Sequence, residues 1–443
     1  MPGRTSSSTP ARFNWERGMA PETLAFGARG ASAGADMSAN ARGHCAPAGT
    51  VAGSVVSGVS ALARQDWQAC RPDDAEGWDY LVACETGTPP AFRLSAARVE
   101  AGDAFLAGAP LFGVGYHLDT PFQEETAAPG GNALARVAKA ALRALLRGQE
   151  WRLLAVGSPF TESCPLAFSP TLDGAARARV VSELLRTVET EARRQQAGLV
   201  AFKDISPSDM QRIGPALAAA GYVALESLPH AVLDLAGVED VEGWLARLSP
   251  ATRKDLRRKL KRAGRVEVEW RHSLDELEAE VHALYESTRA QSHVHYGDFE
   301  DLPEGYFANV AAALPGRVAF AFYRVDGRLA AFNMMLIEPD RVIDKFLGMA
   351  YPLAREHDLY AVSWAENVRL CLRLGRRYLQ TGQTAYAAKL RYGSGLAPST
   401  IMVKHLNPVL HTALRLAAPW FGFPRWDPDL AAYRRRAVSR TAA

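Results

Sequence analysis

Between Arg376 and His405 the chain reads RRYLQTGQTAYAAKLRYGSGLAPSTIMVKH, and this stretch constrains the fold more than any other. It predicts a short strand over Tyr378–Thr381, a break at Gly382-Gln383, and one or two helical turns over Ala385–Arg391. A turn at Gly393-Ser394-Gly395 and a strand over Thr400–His405 follow. The short helix sets Lys389 and Arg391 among small residues. Charge is costly there unless it faces water, a partner or a ligand.

Everything upstream reads as a scaffold for this segment. A chain of 443 residues exceeds one compact domain, so two are expected, over 63–230 and 231–410. Residues 1–62 are rich in Ser, Ala, Gly and Pro and are expected to be a disordered tail, because they bury too little to offset their ordering entropy. Residues 411–443 read as a C-terminal extension. In the first domain, helices are expected at Ala75–Glu85, Asn132–Arg147, Ala175–Gln196 and Ser208–Ala220. Strands are expected at Phe92–Val99, Gly102–Val114, Trp151–Val156, Leu199–Lys203 and Tyr222–Leu228. The second begins with a strand at Ala231–Leu235 and holds a meander, Val318–Val325, Leu329–Glu338 and Arg341–Leu347, whose first turn is the hairpin signal Asp326-Gly327. A helix over Asp358–Leu374 then leads to the opening segment. Strands mixed with helices in both halves define an α+β fold class. There is no regular βαβ series and no G-x-G-x-x-G, which argues against a dinucleotide-binding fold.

The bulk numbers exclude several functional classes. Apolar content of 48% and charged content of 22% are those of a soluble globular protein. A net charge of +3 does not by itself imply a nucleic-acid binder, so any basic signal must be local, and no DNA partner is expected. The five cysteines are odd in number and form no C-x-x-C, which fits unpaired thiols in a reducing compartment. No zinc spacing occurs, and no metal is expected. No run approaches the ~20 apolar residues of a membrane span, and the protein is expected in the cytoplasm.

Three pieces of the second half form a recognisable set. One is the helix opening Leu248-Ser249, with Arg253, Arg257, Arg258 and Lys259. Another is the Asp-Gly hairpin with the strand that ends at Gly348. The third is the strand–Gly-Gln–helix segment with Gly382, Gln383, Lys389, Tyr392 and Gly393. Together they resemble the GNAT acyltransferase superfamily, in particular its FemAB-like branch with tandem GNAT-type domains. The resemblance covers roughly 235–410, and 63–230 is assigned the same architecture by pattern and length. It implies two mixed, mostly antiparallel sheets flanked by helices, and transfer of an acyl group from acyl-coenzyme A as co-substrate to an amine acceptor, small or part of the cell envelope. The alternatives are an aminoacyl-tRNA-dependent ligase acting on a cell-wall precursor, and a non-catalytic module binding an anionic polymer or a membrane surface. GNAT domains hold the donor pyrophosphate on a Gly-rich loop leading into a helix. The corresponding stretch, Ala350–Tyr360, contains no glycine.

Candidate residues follow. The Lys389 ammonium would neutralise a substrate carboxylate or phosphate, or stabilise an oxyanion; otherwise it is a solvated lysine on a short surface helix. Asp344 is a candidate general base, Gln383 would orient a carbonyl, and Tyr386 and Tyr392 would bind substrate. Asp344 and Lys345, as strand neighbours, point to opposite faces. Asn333 lies in an apolar strand and needs a partner if buried. His293, His295 and Tyr296 suit a lid facing the acceptor. The helix within Leu248–Arg265, capped by Ser249, has one apolar side at Leu256 and Leu260 and is otherwise basic with Asp255 as counter-charge, and its Arg253, Arg257 and Arg258 would bind an anionic ligand.

Overall fold

The computed structural model describes residues 50–117, 150–291, 297–418, 422 and 427–433. The helix expected over Asn132–Arg147 and the loop residues His293, His295 and Tyr296 lie outside the described residues.

The first half opens with strand β1 (Val51–Val56) and helices α1 (Arg64–Cys70) and α2 (Trp78–Glu85). Strands β2 (Arg93–Ala101), β3 (Ala104–His117), β4 (Glu150–Val156) and the short β5 (Ala167–Phe168) follow. The amphipathic helix α3 (Gly174–Arg194), strand β6 (Leu199–Ile205), helix α4 (Pro207–Ala219) and strand β7 (Val223–Glu226) complete it. Asp173 and Ser206 cap α3 and α4 through their side chains, as their positions before each apolar-periodic run require.

The second half runs β8 (His230–Asp234), α5 (Val241–Ala246), the basic helix α6 (Pro250–Arg262), β9 (Val266–Arg271), α7 (Glu278–Ala290) and α8 (Tyr306–Ala313). The meander is β10 (Val318–Val325), β11 (Arg328–Ile337) and β12 (Arg341–Met349). Then come α9 (Leu353–Glu356), α10 (Leu359–Arg373), β13 (Tyr378–Gln380), α11 (Tyr386–Arg391), β14 (Gly395–Ala397), β15 (Thr400–His405) and α12 (Pro408–Ala417).

The two sheets have the same plan. The first runs β1-β2-β3-β4-β6-β15-β7, with β5 beside β3, and the second β9-β10-β11-β12-β13-β8-β14. In each, three antiparallel ladders lead to one parallel ladder, β4–β6 or β12–β13, and two antiparallel ladders follow. The sixth place is filled crosswise. β8 enters the second sheet directly after the first is left, and β15 returns from the second half to the first sheet. The expected fold class, α+β with two mixed, mostly antiparallel sheets flanked by helices, is the one observed.

Two segments depart from the expected boundaries. Val51–Val56, assigned to the tail, is an ordered strand paired with β2. Its small residues reflect packing: a Cβ on Gly53 would lie 1.9 Å from Thr187 Oγ1 of α3, and the Gly53 amide donates to Glu183 Oε1 at 2.7 Å. Thr400–His405, placed within 231–410, sits between β6 and β7 of the first sheet.

One apolar core joins the halves. Trp67, Tyr80, Phe92, Phe112 and Phe160 pack in the same cluster as Leu284, Tyr306, Phe307, Phe322 and Phe332. The Tyr80 and Tyr306 hydroxyls meet at 2.7 Å inside it. Each such buried side chain is worth about 1.5–3 kcal/mol, so separating the halves would be costly. Among the described residues no helix is long and apolar enough to cross a membrane.

Candidate active site

The parallel strands β12 and β13 pair only at Arg341–Tyr378, Val342–Leu379 and Ile343–Gln380. Beyond Gln380 the chain turns to β8: the Thr381 amide donates to the Ala231 carbonyl at 2.9 Å, and the Ala231 amide to the Gly382 carbonyl at 3.1 Å. β12 meanwhile runs on to Met349. The two strands therefore part, and the edge of β12 from Asp344 onward is released from the ladder. At the same place the β11–β12 register shifts. Met334 faces Phe346 but Met335 faces Asp344, which leaves Lys345 as the extra residue of a bulge.

The bulge aims two neighbours at different partners. Asp344 faces α10. Its Oδ1 accepts from Asn333 Nδ2 and its Oδ2 from Asn367 Nδ2, both at 2.8 Å. Both amides are fully buried, and each is fastened through its nitrogen alone. Asp344 keeps part of its surface open but lies deep among protein atoms. That desolvation pushes its carboxyl up to about 6, although the amide donors and Lys389 favour the charged form. Lys345 turns to the first half, where its ammonium pairs with Glu76 and donates to the Phe160 carbonyl at 2.8 Å. Burial opposes this charge, but Glu76 and Glu162 outweigh burial and hold the lysine above its ordinary value.

Lys389 lies in the last turn of α11 and is only 7% exposed, so it is not a solvated surface lysine. Its ammonium donates to the Thr381 carbonyl. Burial pulls it down to about 8, against the attraction of Glu162 and Asp344. Glu162 comes from the first half, on the loop that leaves β4. Its Oε2 accepts from Gln380 Nε2 at 2.6 Å, and Gln380 Oε1 accepts from Arg341 Nη1 at 3.1 Å. A group of carboxylates, amides and two ammonium groups thus lines the point where the strands separate, drawn from both halves.

The structure brings Lys389, Asp344 and Asn333 together. It does not bring Gln383, Tyr386 and Tyr392 to them as open substrate contacts. Gln383 Nε2 donates to the Leu228 carbonyl at 2.8 Å, and the fully buried Tyr386 hydroxyl donates to the Pro229 carbonyl at 2.7 Å. Both fasten the start of α11 to the link between β7 and β8. Tyr392 packs among Trp244, Trp364 and Tyr360, and its carbonyl accepts from Trp244 Nε1 at 3.0 Å. Sequence reading missed Glu76, Glu162, Asn367 and Gln380. None stands out locally, because each gains its meaning from a partner distant in the chain.

The basic helix α6 has more counter-charge than Asp255. Arg257 pairs with Glu242 at 2.6 Å and Arg262 pairs with Asp358, while Arg258 pairs with Asp255 at 2.8 Å and Arg253 donates to the Ala246 carbonyl at 3.1 Å. These are exposed pairs, each worth little. In Ala350–Tyr360, the head of α10 carries Asp358 itself, where a phosphate would otherwise meet the helix amides.

Residues 250–390, from α6 to α11, match the family described as acetyltransferase (GNAT) domain. The matched region occupies about a third of the chain, and it is this region that is similar to a GNAT domain. No curated protein matches the chain by sequence. Among solved structures, it is similar to FemX, with 11% identity over 75% of this chain and 92% of that one and a TM-score of 0.46. It is also similar to a tandem GNAT protein from the clavulanic acid biosynthesis pathway, with 15% identity over 81% of this chain and 99% of that one and a TM-score of 0.44. The structure of L-PGS from Bacillus licheniformis is a further one, with 12% identity over 60% of this chain and 82% of that one and a TM-score of 0.38.

Proposed function

We propose that this acyltransferase moves an acyl group from acyl-coenzyme A to an amine acceptor at the gap between β12 and β13. The observation that carries the reading is the parting of these strands beside the buried Lys389 and the half-buried Asp344, inside the region that matches a GNAT domain. The amine nitrogen attacks the thioester carbonyl directly. A carbon–nitrogen bond forms, the carbon–sulfur bond breaks, and the amine proton passes to the Asp344 carboxylate. The Lys389 ammonium stabilises the oxyanion, with a backbone amide at the Lys345 bulge as second donor. The reading needs no acylated residue: Cys84, Cys164 and Cys371 are buried and Cys70 is half-buried, and burial holds all four thiols above their ordinary value.

The test is mass spectrometry after incubation with a panel of acyl-coenzyme A donors and primary amines, read beside the melting temperature with coenzyme A. A new amide and a raised melting temperature are expected. Neither response to any acyl-coenzyme A would overturn the donor assignment. An aminoacyl-tRNA donor is the second reading, favoured by the glycine-free Ala350–Tyr360 stretch, by Asp358 at the head of α10, and by the basic surface of α6. It requires tRNA binding that weakens steeply with salt, and an affinity unchanged between low and moderate salt would exclude it.

A further inference from the structure

Glu162 is held in an unusual way. Its peptide amide donates to the Glu76 carboxylate at 3.0 Å, and its carbonyl lies 2.9 Å from His230 Nε2. The neighbouring carbonyls are also occupied: Phe160 accepts from Tyr80 and Lys345, and Thr161 from Lys203 at 2.8 Å. The Cys164 amide donates to the Asp204 carbonyl at 3.0 Å. The backbone therefore fastens this loop to both halves. The Glu162 carboxylate contributes only the bond from Gln380 to that work, and it stands beside a second acid, Glu76. Both acids act on Lys345, and Glu162 acts on a second ammonium as well, that of Lys389.

What it faces is across Gly382. A Cβ on that glycine would lie 3.2 Å from Glu162 Oε1 and 3.8 Å from Lys389 Nζ. The carboxylate and the ammonium thus flank one small residue, with no side chain of that residue between them. We propose that Glu162, supplied by the first half, is the positioning residue for Lys389 in the second half's site: it keeps the ammonium charged and aimed at the gap between β12 and β13. The other charged groups around the pair are Asp344 from β12, Glu76 and Lys345 on the side of the first half, Arg341 through Gln380, and His230 behind the Glu162 carbonyl. Of these, Glu162 and Asp344 act directly on Lys389.

The proposal takes Lys389 as a site residue from the reading above, but its first test needs no substrate. The full chain, labelled with 13C and 15N in lysine, is titrated by NMR, with Lys389→Arg assigning the resonance. In Glu162→Gln the Lys389 midpoint is expected to fall by about one pH unit, as loss of a nearby opposite charge requires. Glu162→Ala is the second variant, chosen because the backbone holds the loop, and a melting curve verifies that each folds. Glu76→Gln should move Lys345 and leave Lys389 in place. An unmoved Lys389 midpoint in whichever Glu162 variant folds overturns the proposal. Where the parent protein makes an amide, Glu162→Gln should lower kcat about tenfold and shift the alkaline limb of its pH profile downward, with the donor KM unchanged. A lowered kcat with an unmoved limb would mark a merely structural residue and also overturn it. If the parent makes no amide, the transfer reading fails while the NMR titration still decides the Glu162–Lys389 pairing.

Discussion

Asp344 and Lys389 set opposite pH limits on the same site. As a base, Asp344 must be ionised, and burial has pushed it up to about 6. As an oxyanion partner, Lys389 must be charged, and burial has pulled it down to about 8. The rate of amide formation is therefore expected to be bell-shaped, with apparent limbs near these two values belonging to the coupled group. A flat profile across that window would remove both roles. Lys389→Ala, with the fold verified by circular dichroism, should lower turnover by about 10²-fold or more. Stability should respond in its own way. Glu338 lies half-enclosed against the Ala75 amide, and burial raises its carboxyl to about 7. A raised carboxyl binds its proton more tightly folded than unfolded, so its contribution is fully present below the unfolded value and is lost as pH rises to about 7. Glu338→Gln should gain on the order of 1–2 kcal/mol at pH 8 and nothing near pH 4, measured by urea unfolding. Lys389 and Asp344 were legible as residues because charge in a short helix or a central strand is conspicuous. Their controlling partners were not, because Glu162 and Asn367 are ordinary loop and helix residues until the topology brings them across.

Most elements could be read from periodicity and punctuation. Ser249-Pro250 starts α6, Asp326-Gly327 turns the hairpin, and Gly382 ends the strand before α11, each for a local reason. The parting of β12 and β13 had no such sign, since a strand's partner and the length of the pairing depend on the whole sheet. Nor did the bulge at Lys345, which is one residue out of step in an otherwise regular apolar run. Gly382 itself is a test at this scale. Its φ is +74°, and a methyl group there would crowd Glu162 at 3.2 Å. Gly382→Ala is expected to cost about 1–2 kcal/mol in urea or thermal unfolding and to change the Lys389 titration. Gly375→Ala, also at positive φ but with open space around it, should cost the backbone term alone. Equal effects at the two glycines would argue against crowding at the site.

At the scale of the molecule, two α+β units were legible from the order of strands and helices, but not the exchange between them. Thr400–His405 alternates as a strand should, and nothing in those six residues names the sheet it joins. A chain ending at Pro398 should therefore lose more than its last strand. β6 and β7 would face an empty place, and hydrogen exchange is expected to show lost protection in the first half, far from the cut in sequence. Protection confined to wild-type levels in β6 would contradict the crosswise arrangement. The same arrangement bears on synthesis. Domains commonly fold one after another as the ribosome releases them, but here the first sheet waits for a strand encoded after almost all of the second half. Until Thr400–His405 leaves the exit tunnel, the nascent first half carries an open slot between two strand edges, and that interval is when a chaperone, or a neighbouring nascent chain, would find it.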